Sequence, residues 1–596
     1  MADMLTIGSS ATMTFKKALD VTSHNVANVS TEGYSRQRAE ISSNSPNTVG
    51  TSFMGGGSQV DSVERISAEY LQSQLNNGNA MVSRYELQAS LSSQVEGVIA
   101  GNDAGVQEFV QGFFDSLQTL ANSPTSTTSR QLVLDQANGL SSHISNLTSI
   151  LNDTQAQVNN QIKDLTVEIN NRLQTVQTIN SQVERALSNS QQPPNDLLDQ
   201  RDQAIMELSK YIDIKSFPQK DGRLDLFTND GKLPLLADNK IVPIKAALSP
   251  YQDENRVELY MTINGATQVV SDRISGGELG GVLDFRTNML DQAQNDLGVA
   301  LNGLVGSMNW QNYQGYDVND QPGGNIFKPL EIDGVYGEVN NAQDGSAIKV
   351  SFNPNQGVSE PPYSLPEAGT YIQKQGYLEN AFSAIGQFAS REYEIKADGA
   401  GYKFYDKNTH EELTPTPGTV ANTFQLDGLL FDLSANTNVA GDSFLVKPHQ
   451  QILQDFATVT TDTDSIATRG QSPDPADTNP TPAADGDNVN IANMASLQSA
   501  KILFADQSGQ ASETLLGGYS KMASNVGMYV RNSDIQLTAQ TNVFQQLVDQ
   551  RESISGVSLD EEAANLIKYQ HAYQAAAQII STSQSIFQTL LGVVGR

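Results

Sequence analysis

Apolar and small residues near the N-terminus recur at alternating intervals of four and three positions, which places them on one face of an α-helix. The stripe consists of Ile7, Ala11, Thr14, Ala18, Val21, Asn25 and Asn28. From Met4 to Asn28 the pattern predicts a helix of about 37 Å, at about 1.5 Å per residue. Asn25, Asn28 and Gly33 tolerate the turn conformations that end a helix. A helix of this length with an apolar face needs a partner elsewhere.

The C-terminal segment shows the same periodicity more strongly. Ser558 and Glu561 fit a Ser-x-x-Glu capping box, which predicts the helix start. The main stripe contains Leu559, Ala563, Leu566, Gln570, Tyr573, Ala577, Ile580, Gln584, Phe587, Leu591 and Val594. Beside it runs a second stripe of Ala572, Ala576, Ile579, Ile586, Leu590 and Val593. Because the N-terminal helix can cover only part of this surface, we expect the remainder to contact other molecules.

Helical periodicity also dominates the middle of the chain. It extends from about Ala68 to Ala121 with a break near Gly101, and near-heptad spacing follows from Leu140 to Leu187. The second run predicts a helix of about 70 Å. We favour a bundle helix over a free coiled-coil dimer, because the flanking positions lack organised opposite charges. A short helix follows Pro194, and another is predicted from Gly276 to Trp310.

Two regions have the alternating pattern and turn residues of β-structure, 215–270 and 326–448. Strands are predicted in AIKVSF, REYEIKA, GYKFYD and DSFLVKP, a short one in GGGSQVDSVERI, and a loop in GQSPDPADTNPTPAADGDN. The predicted fold class is multidomain α + β, with long terminal and middle helices in an elongated helical-bundle domain and inserted β-rich outer domains. The expected parts are the terminal helices at 1–35 and 556–596, the bundle at 36–214, 271–325 and 449–555, and outer β regions at 215–270 and 326–448.

Charge and composition exclude several classes of partner. Lysine and arginine total 36 against 67 acidic residues, giving a net charge of −31 that disfavours nucleic acid and anionic membranes. Cysteine is absent, so neither disulfides nor cysteine-ligated metals can form. No stretch reaches the roughly 18 consecutive apolar residues of a membrane span. The N-terminus lacks a basic region before its apolar residues, so we expect any export to proceed without a cleaved signal peptide.

No pattern of catalytic residues stands out. The sequence HEELT has Thr414 where a zinc-protease motif needs its second histidine. The cluster Asp196, Asp199 and Asp202 could form a metal site, but we favour a solvated first helical turn beside Arg201. We therefore predict no catalytic, metal-binding or cofactor-binding residue, and a protein that is not an enzyme.

Several segments resemble those of a known family. ANVSTEGYSRQ, from Ala27 to Gln37, and the segment from Ser555 to Leu591 are similar to the terminal motifs of the axial proteins of the bacterial flagellum. The interior sequences NDLLDQRD, SGGELGGVLDFR, GDSFLVKP and GDNVNIANMASLQ resemble the hook-associated protein 1 family in particular. Ser558 stands where an asparagine is more usual, and the β regions match only in short patches. The resemblance covers about half of the chain.

The resemblance implies a structural subunit that assembles on the distal end of the hook and forms the junction between hook and filament. Another axial subunit, a hook or flagellin-like protein, is the alternative. The terminal helices would be largely disordered before assembly and would then line the central channel. The implied partners are the hook protein, the second hook–filament junction protein, copies of this chain in a helical layer, and an export chaperone on the C-terminal helix.

The implied location is extracellular, after export through the flagellar type III apparatus. We expect no nucleic acid, membrane insertion or cofactor. The expected assembly residues are Ile7, Ala11, Ala18, Val21, Asn25, Asn28, Thr31, Gly33, Tyr34, Arg36, Leu559, Leu566, Tyr573, Ala577, Ile580, Phe587 and Leu591.

Overall fold

The computed structural model describes most of the chain. It covers residues 2–594 except 46, 50–51, 100–104, 190–191, 229, 253–254, 330–331, 333–334, 353–370, 419, 472–480 and 506–509. The predicted break near Gly101 and part of the predicted loop at 470–488 lie outside the described residues. Within the described residues, none of the helices combines the length and apolar character that crossing a bilayer requires.

Long helices form the framework of the fold. They are α1 (Ala2–Ala27), α2 (Glu69–Ile99), α3 (Val106–Asn122), α4 (Thr127–Asn189), α5 (Asn195–Ser209), α6 (Gly277–Phe285), α7 (Gln292–Gln314), α8 (Tyr371–Gly386), α9 (Gln451–Asp455), α10 (Val489–Ser496), α11 (Leu515–Ser555) and α12 (Leu559–Val594). A π-helical turn, Arg286–Asp291, joins α6 to α7. The predicted long helix is confirmed as α4, whose stripe from Leu140 to Val183 is buried.

Helix α7 forms the centre of the core. Every residue from Ala293 to Gln314 is buried, including several amides. Asn309 shows how such an amide is accommodated: its Oδ1 accepts bonds from the Ile326 and Phe327 amides, and its Nδ2 donates to the Phe327 carbonyl. Because each buried polar group needs a partner, these bonds fix the following loop against the helix.

The strands form small antiparallel sheets. They are β1 (Gln37–Ser43), β2 (Asn47–Val49), β3 (Ser52–Met54), β4 (Ser58–Arg65), β5 (Lys215–Pro218), β6 (Leu224–Thr228), β7 (Leu233–Ala237), β8 (Lys240–Ile241), β9 (Lys245–Leu248), β10 (Val257–Ile263), β11 (Ala266–Val269), β12 (Val335–Gly337), β13 (Lys349–Phe352), β14 (Tyr393–Ala397), β15 (Tyr402–Asp406), β16 (Glu412–Leu413), β17 (Thr416–Pro417), β18 (Thr423–Leu426), β19 (Leu429–Asp432), β20 (Ser443–Val446), β21 (Leu503–Ala505) and β22 (Ala511–Glu513). The sheet orders are β1-β4, β2-β3, β5-β6-β7-β8, β11-β10-β9, β12-β20-β14-β15-β16, β13-β19-β18-β17 and β21-β22.

The fold class is multidomain α + β, as predicted, although some elements differ from expectation. Helix α8 lies inside the region expected to be β-rich, and buries Ala381 and Ile385 close to α7. Strands β1 to β4, β21 and β22 lie in regions assigned to the helical bundle. Their sequences carry too little apolar–polar alternation to predict strands, apart from GGGSQVDSVERI, where β4 confirms the prediction. The division of the chain into three parts stays a prediction.

The terminal helices α1 and α12 pack against each other as an antiparallel pair. Gly8 near the start of α1 faces Ile580, and Asn25 near its end bonds to Glu562. A Cβ on Gly8 would come within 2.8 Å of Ile580 Cγ1, so glycine permits this close helix approach. The hairpin of β1 and β4 packs on α1 as well. Among the described residues, the main hydrophobic core contains none from α1 or α12.

Candidate assembly site

The predicted apolar face of α1 is the face that packs. Ala18 and Asn25 are buried, while Ile7, Ala11 and Val21 are partly covered. Thr14 is buried on the same face, where its hydroxyl lies 2.8 Å from the Ser58 carbonyl in β4. The α1 stripe therefore contacts both α12 and the hairpin.

Helix α12 packs along the line where the two predicted stripes adjoin. Among its described side chains, Glu562, Ser583 and Ala576 of the second stripe are buried, at multiples of seven positions. Leu566, Tyr573 and Ile580 of the main stripe lie at the edge of the contact and are half-covered. Leu559, Ala577, Phe587 and Leu591 of the same stripe are exposed. One stripe is thus split between an internal contact and open surface.

Most of the large apolar side chains that α12 leaves exposed lie in its last turns. We define the α12 apolar surface as Ile586, Phe587, Leu590, Leu591 and Val593, which are 40%, 55%, 40%, 57% and 70% exposed. Contiguous apolar surface of this kind is typical of a site that binds another protein. The surface agrees with the expectation that α1 alone cannot cover α12.

The opposite end of the helix pair is polar and is organised by Asn25. Its Oδ1 accepts from the Gln37 amide at 2.9 Å and the Tyr34 hydroxyl at 2.8 Å. Its Nδ2 donates to the Gln37 carbonyl at 2.9 Å and to Glu562 Oε2 at 3.2 Å. The carboxamide therefore joins the end of α1, the start of β1 and the first turn of α12.

Arg36 connects the two ends of the chain. Its Nε donates to Glu562 Oε1 at 2.7 Å, its Nη1 to Glu561 Oε2 at 2.5 Å, and its backbone amide to the Ser555 carbonyl at 2.9 Å. The Glu562 side chain is only 2% exposed. Burial lowers the pKa of Arg36, but the two carboxylates outweigh it and the net shift is upward. We define Asn25, Tyr34, Arg36 and Glu562 as the polar joint.

Tyr34 and the end of α1 complete this region. Burial is the largest cause of the raised pKa of Tyr34, followed by the charges of Asp196, Asp199 and Glu562. The hydroxyl therefore remains a hydrogen-bond donor to Asn25 at neutral pH. Thr31 is exposed and bonds to Asn28.

Gly33 sets the path of the chain between α1 and β1. It adopts φ +81°, and a Cβ there would lie 2.9 Å from Gln203 Oε1. Both its backbone conformation and its close approach to α5 therefore favour glycine at this position.

Two of the three aspartates of α5, Asp199 and Asp202, hold the joint to the bundle, which corrects the sequence interpretation of a solvated helical turn for these two residues. The Asp196 side chain is 62% exposed. Asp199 is buried, accepts from the Ser35 amide at 3.0 Å and pairs with Arg65 at 3.0 Å. Asp202 pairs with the same guanidinium at 2.6 Å. Burial raises the pKa of Asp199, opposed in part by the bonds from Ser35 and Arg65. Arg65 could not be identified from the sequence, because 134 positions separate it from Asp199.

The side chains of this region connect helices and strands through hydrogen bonds and ion pairs. The described residues include no group of three or more histidine or acidic side chains able to hold a metal ion. The buried carboxylates of the joint pair with arginines, as expected for groups that would otherwise lose their hydration without compensation. The chemistry of the joint is therefore that of a structural connection.

Family models match both ends and the middle of the chain. The model described as flagella basal body rod protein matches residues 5–34, and that of the flagellar basal body rod FlgEFG protein C-terminal region matches 549–593. The flagellar hook-associated protein FlgK helical domain matches residues 92–327. Flagellar hook-associated protein 1 of Salmonella typhimurium is 27% identical over the full length of both chains. The chain is therefore similar to the flagellar hook-associated protein 1 family over its full length.

Other relatives agree with this family. Flagellar hook-associated protein 1 of Bacillus subtilis is 24% identical, with 97% of this chain and 95% of the relative covered. The flagellar hook junction protein FlgK from Burkholderia pseudomallei has a similar fold, with a TM-score of 0.66 and 22% identity over 81% of this chain and 100% of that chain. The two terminal matches include three of the four residues of the polar joint, Asn25, Tyr34 and Glu562. The fourth, Arg36, lies two positions beyond the first match.

Proposed function

We propose that this chain is a structural subunit of the bacterial flagellum that assembles on the distal end of the hook and forms the junction between hook and filament. Its similarity to flagellar hook-associated protein 1 over the full length, and to the FlgK helical domain over residues 92–327, supports this role. The observation that supports assembly most directly is the α12 apolar surface, which the chain leaves uncovered. A subunit that polymerises through its termini requires such a surface, because the contacts that bury it come from neighbouring copies.

The terminal helix pair is the proposed inner part of the assembly. In a helical layer, each subunit meets its neighbour through two different surfaces, since a screw operation relates the copies. Burying the five side chains of the α12 apolar surface would supply about 1.5–3 kcal/mol for each fully covered large side chain. The pair would then line the central channel, with the bundle and β regions outside it.

The expected assembly residues on the two terminal helices fall into two groups within this proposal. Those on α1, together with Leu566, Tyr573 and Ile580, have contacts within the chain and would shape the pair. Leu559, Ala577, Phe587 and Leu591 are exposed and would contact neighbouring copies. Tyr34 and Arg36, expected to be subunit contacts, bond within the chain and would act by fixing the angle between pair and bundle.

The partners and the location follow from the same proposal. They are the hook protein below, the second hook–filament junction protein above, copies of this chain at the sides, and an export chaperone on α12 before assembly. The chaperone would cover the α12 apolar surface and so prevent premature association. The assembled subunit would lie outside the cell.

Isolated hooks provide the test. Purified chain is added to hooks, and their distal ends are imaged by electron microscopy. A cap of one or two subunit layers on the distal end is the expected result. Bare hooks would contradict the proposal, and long tubes formed by the chain alone would favour the alternative of a hook or flagellin-like subunit.

A further inference from the structure

A cavity of about 130 Å³ lies where the loop at Gly33 meets α2, α5, the start of the first β region and the end of α11. Its lining includes Arg201, Asn76, Arg65 and Arg551. A volume of this size holds a small polyatomic ion or a few water molecules. The residues around it form no part of the α12 apolar surface.

Arg201 is the unusual member of this lining. It is 6% exposed, and its Nη1 donates to the Gly222 carbonyl at 2.7 Å and to Asn180 Oδ1 at 3.4 Å. Its Nε is buried without a hydrogen-bond partner. The neighbouring carboxylate of Asp202 pairs with Arg65, so Arg201 forms no ion pair with any described residue. A buried guanidinium normally has an anionic partner, because its desolvation is otherwise uncompensated.

Asn76 adds a second free donor to the same cavity. It is 3% exposed, and its Oδ1 accepts from Gln72 Nε2 at 3.1 Å. Its Nδ2 donates to no group of the described residues. The two unsatisfied groups are therefore both donors, one of them charged. Arginine donors of this kind match the oxygens of a carboxylate or another oxyanion.

The charge of the lining agrees with this chemistry. Arg65, Arg201 and Arg551 contribute three positive charges, against the two negative charges of Glu69 and Asp202. The whole chain, in contrast, carries −31. Burial is the largest cause of the lowered pKa of Arg201; the charges of Asp202 and Glu69 oppose the shift without cancelling it, and the charge of Arg65 adds to it.

We propose that this cavity binds a carboxylate or another small oxyanion through Arg201 and Asn76. The bound oxygen atoms accept from donors on α2 and α5 and compensate the buried charge of Arg201. The occupant is either a free anion or an acidic side chain of a neighbouring subunit, since both present the same oxygens. Binding holds α2, α5 and the loop at Gly33 together beside the polar joint.

The first experiment is a thermal-unfolding titration of the full chain with sodium acetate, at an ionic strength held constant with chloride. The expected result is a saturable rise in Tm, of about 1 °C at ten times the dissociation constant. Phosphate is a second probe, whose nonspecific effect is linear rather than saturable. A flat or purely linear response to both anions would overturn the proposal.

Two variants locate the effect. Arg201→Met should abolish the saturable rise, whereas the exposed Arg185→Met on α4 should retain it. Asn76→Asp places a carboxylate inside the cavity, so this variant should no longer respond to acetate; it keeps the test decisive if Arg201→Met does not fold. Retention of the full acetate response by both cavity variants would contradict the assignment of the site.

A second experiment distinguishes the two sources of the anion and rests on the proposed function. Hooks are capped in chloride, or in saturating acetate at the same ionic strength. If acetate reduces capping, it competes with a carboxylate from the neighbouring subunit. If capping is the same in acetate and in chloride, the occupant is a free anion. A failure to cap in chloride would count against the proposed function alone, because the Tm titration measures anion binding independently.

Discussion

Asn25 shows why a carboxamide suits the polar joint. One side chain must accept from a backbone amide and donate to the carbonyl of the same residue, Gln37. Aspartate lacks the donor, and it would bring a second negative charge close to Glu562. The sequence predicted that Asn25 ends the helix but could not predict these bonds, because their partners are distant in the chain or belong to the backbone.

The ion pair between Arg36 and Glu562 should make a large contribution to docking of α12. Arg36→Gln leaves a buried carboxylate without its cation, and we expect a loss of about 3 kcal/mol in the stability of the terminal pair. Hydrogen exchange of the α12 backbone amides measures this loss. The double variant Arg36→Gln with Glu562→Gln should recover part of it, since no unpaired charge remains.

Arg38 supplies the control for that measurement. It pairs with Glu40 at 2.6 Å, but its side chain is 67% exposed. Water screens such a pair, so Arg38→Gln should change α12 exchange by no more than the equivalent of about 0.5 kcal/mol. If Arg36→Gln and Arg38→Gln change α12 hydrogen exchange equally, the buried pair of Arg36 and Glu562 stabilises the docking of α12 no more than an exposed pair does.

His449 should make the stability of the core depend on pH. It is fully buried beside Asn302, and burial lowers its pKa from 6.5 to about 4. Between these values the unfolded chain binds a proton that the folded chain does not, so this contribution is complete above about pH 6.5 and is lost as the pH falls towards 4. The shift corresponds to about 3 kcal/mol.

Denaturant unfolding from pH 7 to pH 4 measures this contribution. The difference in unfolding free energy between the original chain and His449→Gln should narrow by about that amount as the pH falls, because glutamine does not titrate. If the unfolding free energies of the two chains change in parallel with pH, His449 is not the source of the pH dependence.

At the scale of elements, periodicity predicted the long helices well. Both α4 and α12 carry enough turns for their apolar spacing to be unambiguous. Helix α8 was missed because it is short and lies among strands, where its packing against α7 is decided by tertiary contacts. Two stripes predicted that α12 has several neighbours, but only the structure shows that α1 covers the line where the stripes adjoin and leaves the last turns of α12 exposed.

The α12 apolar surface should be required for assembly and dispensable for folding. Phe587 and Leu591 are more than half exposed, so replacing both with serine should change the unfolding free energy by less than about 0.5 kcal/mol. Capping of hooks, counted in electron micrographs, should be lost. Gln588→Ser changes an exposed polar neighbour on the same turn and should cap normally. If the double serine variant caps hooks normally, the α12 apolar surface is not required for assembly.

For the whole molecule, the hydrophobic core extends from Leu91 to Val530 and excludes both terminal helices. The pair is attached through β1, β4 and the polar joint rather than by a shared core. We call the part of the chain that contains this core the body. Because the terminal pair shares no core with it, the stability of the body does not depend on the surface used for assembly. The sequence predicted the two terminal helices, whereas their independence from the core depends on contacts that only the structure reveals.

Deletion of residues 558–596 tests this separation directly. The truncated chain should keep the thermal transition and far-UV circular dichroism of the body, after subtraction of the lost helix, because the main core contains no residue of α12. It should nevertheless fail to cap hooks, since it lacks the α12 apolar surface and the carboxylate partners of Arg36.

The variant Leu208→Ala provides a control that destabilises the body and leaves the termini intact, because Leu208 is completely buried in the core. That variant should lower the unfolding free energy of the body by about 2–5 kcal/mol. Hook attachment by the truncated chain would contradict assembly through the termini, and loss of the body's thermal transition would contradict the separation itself.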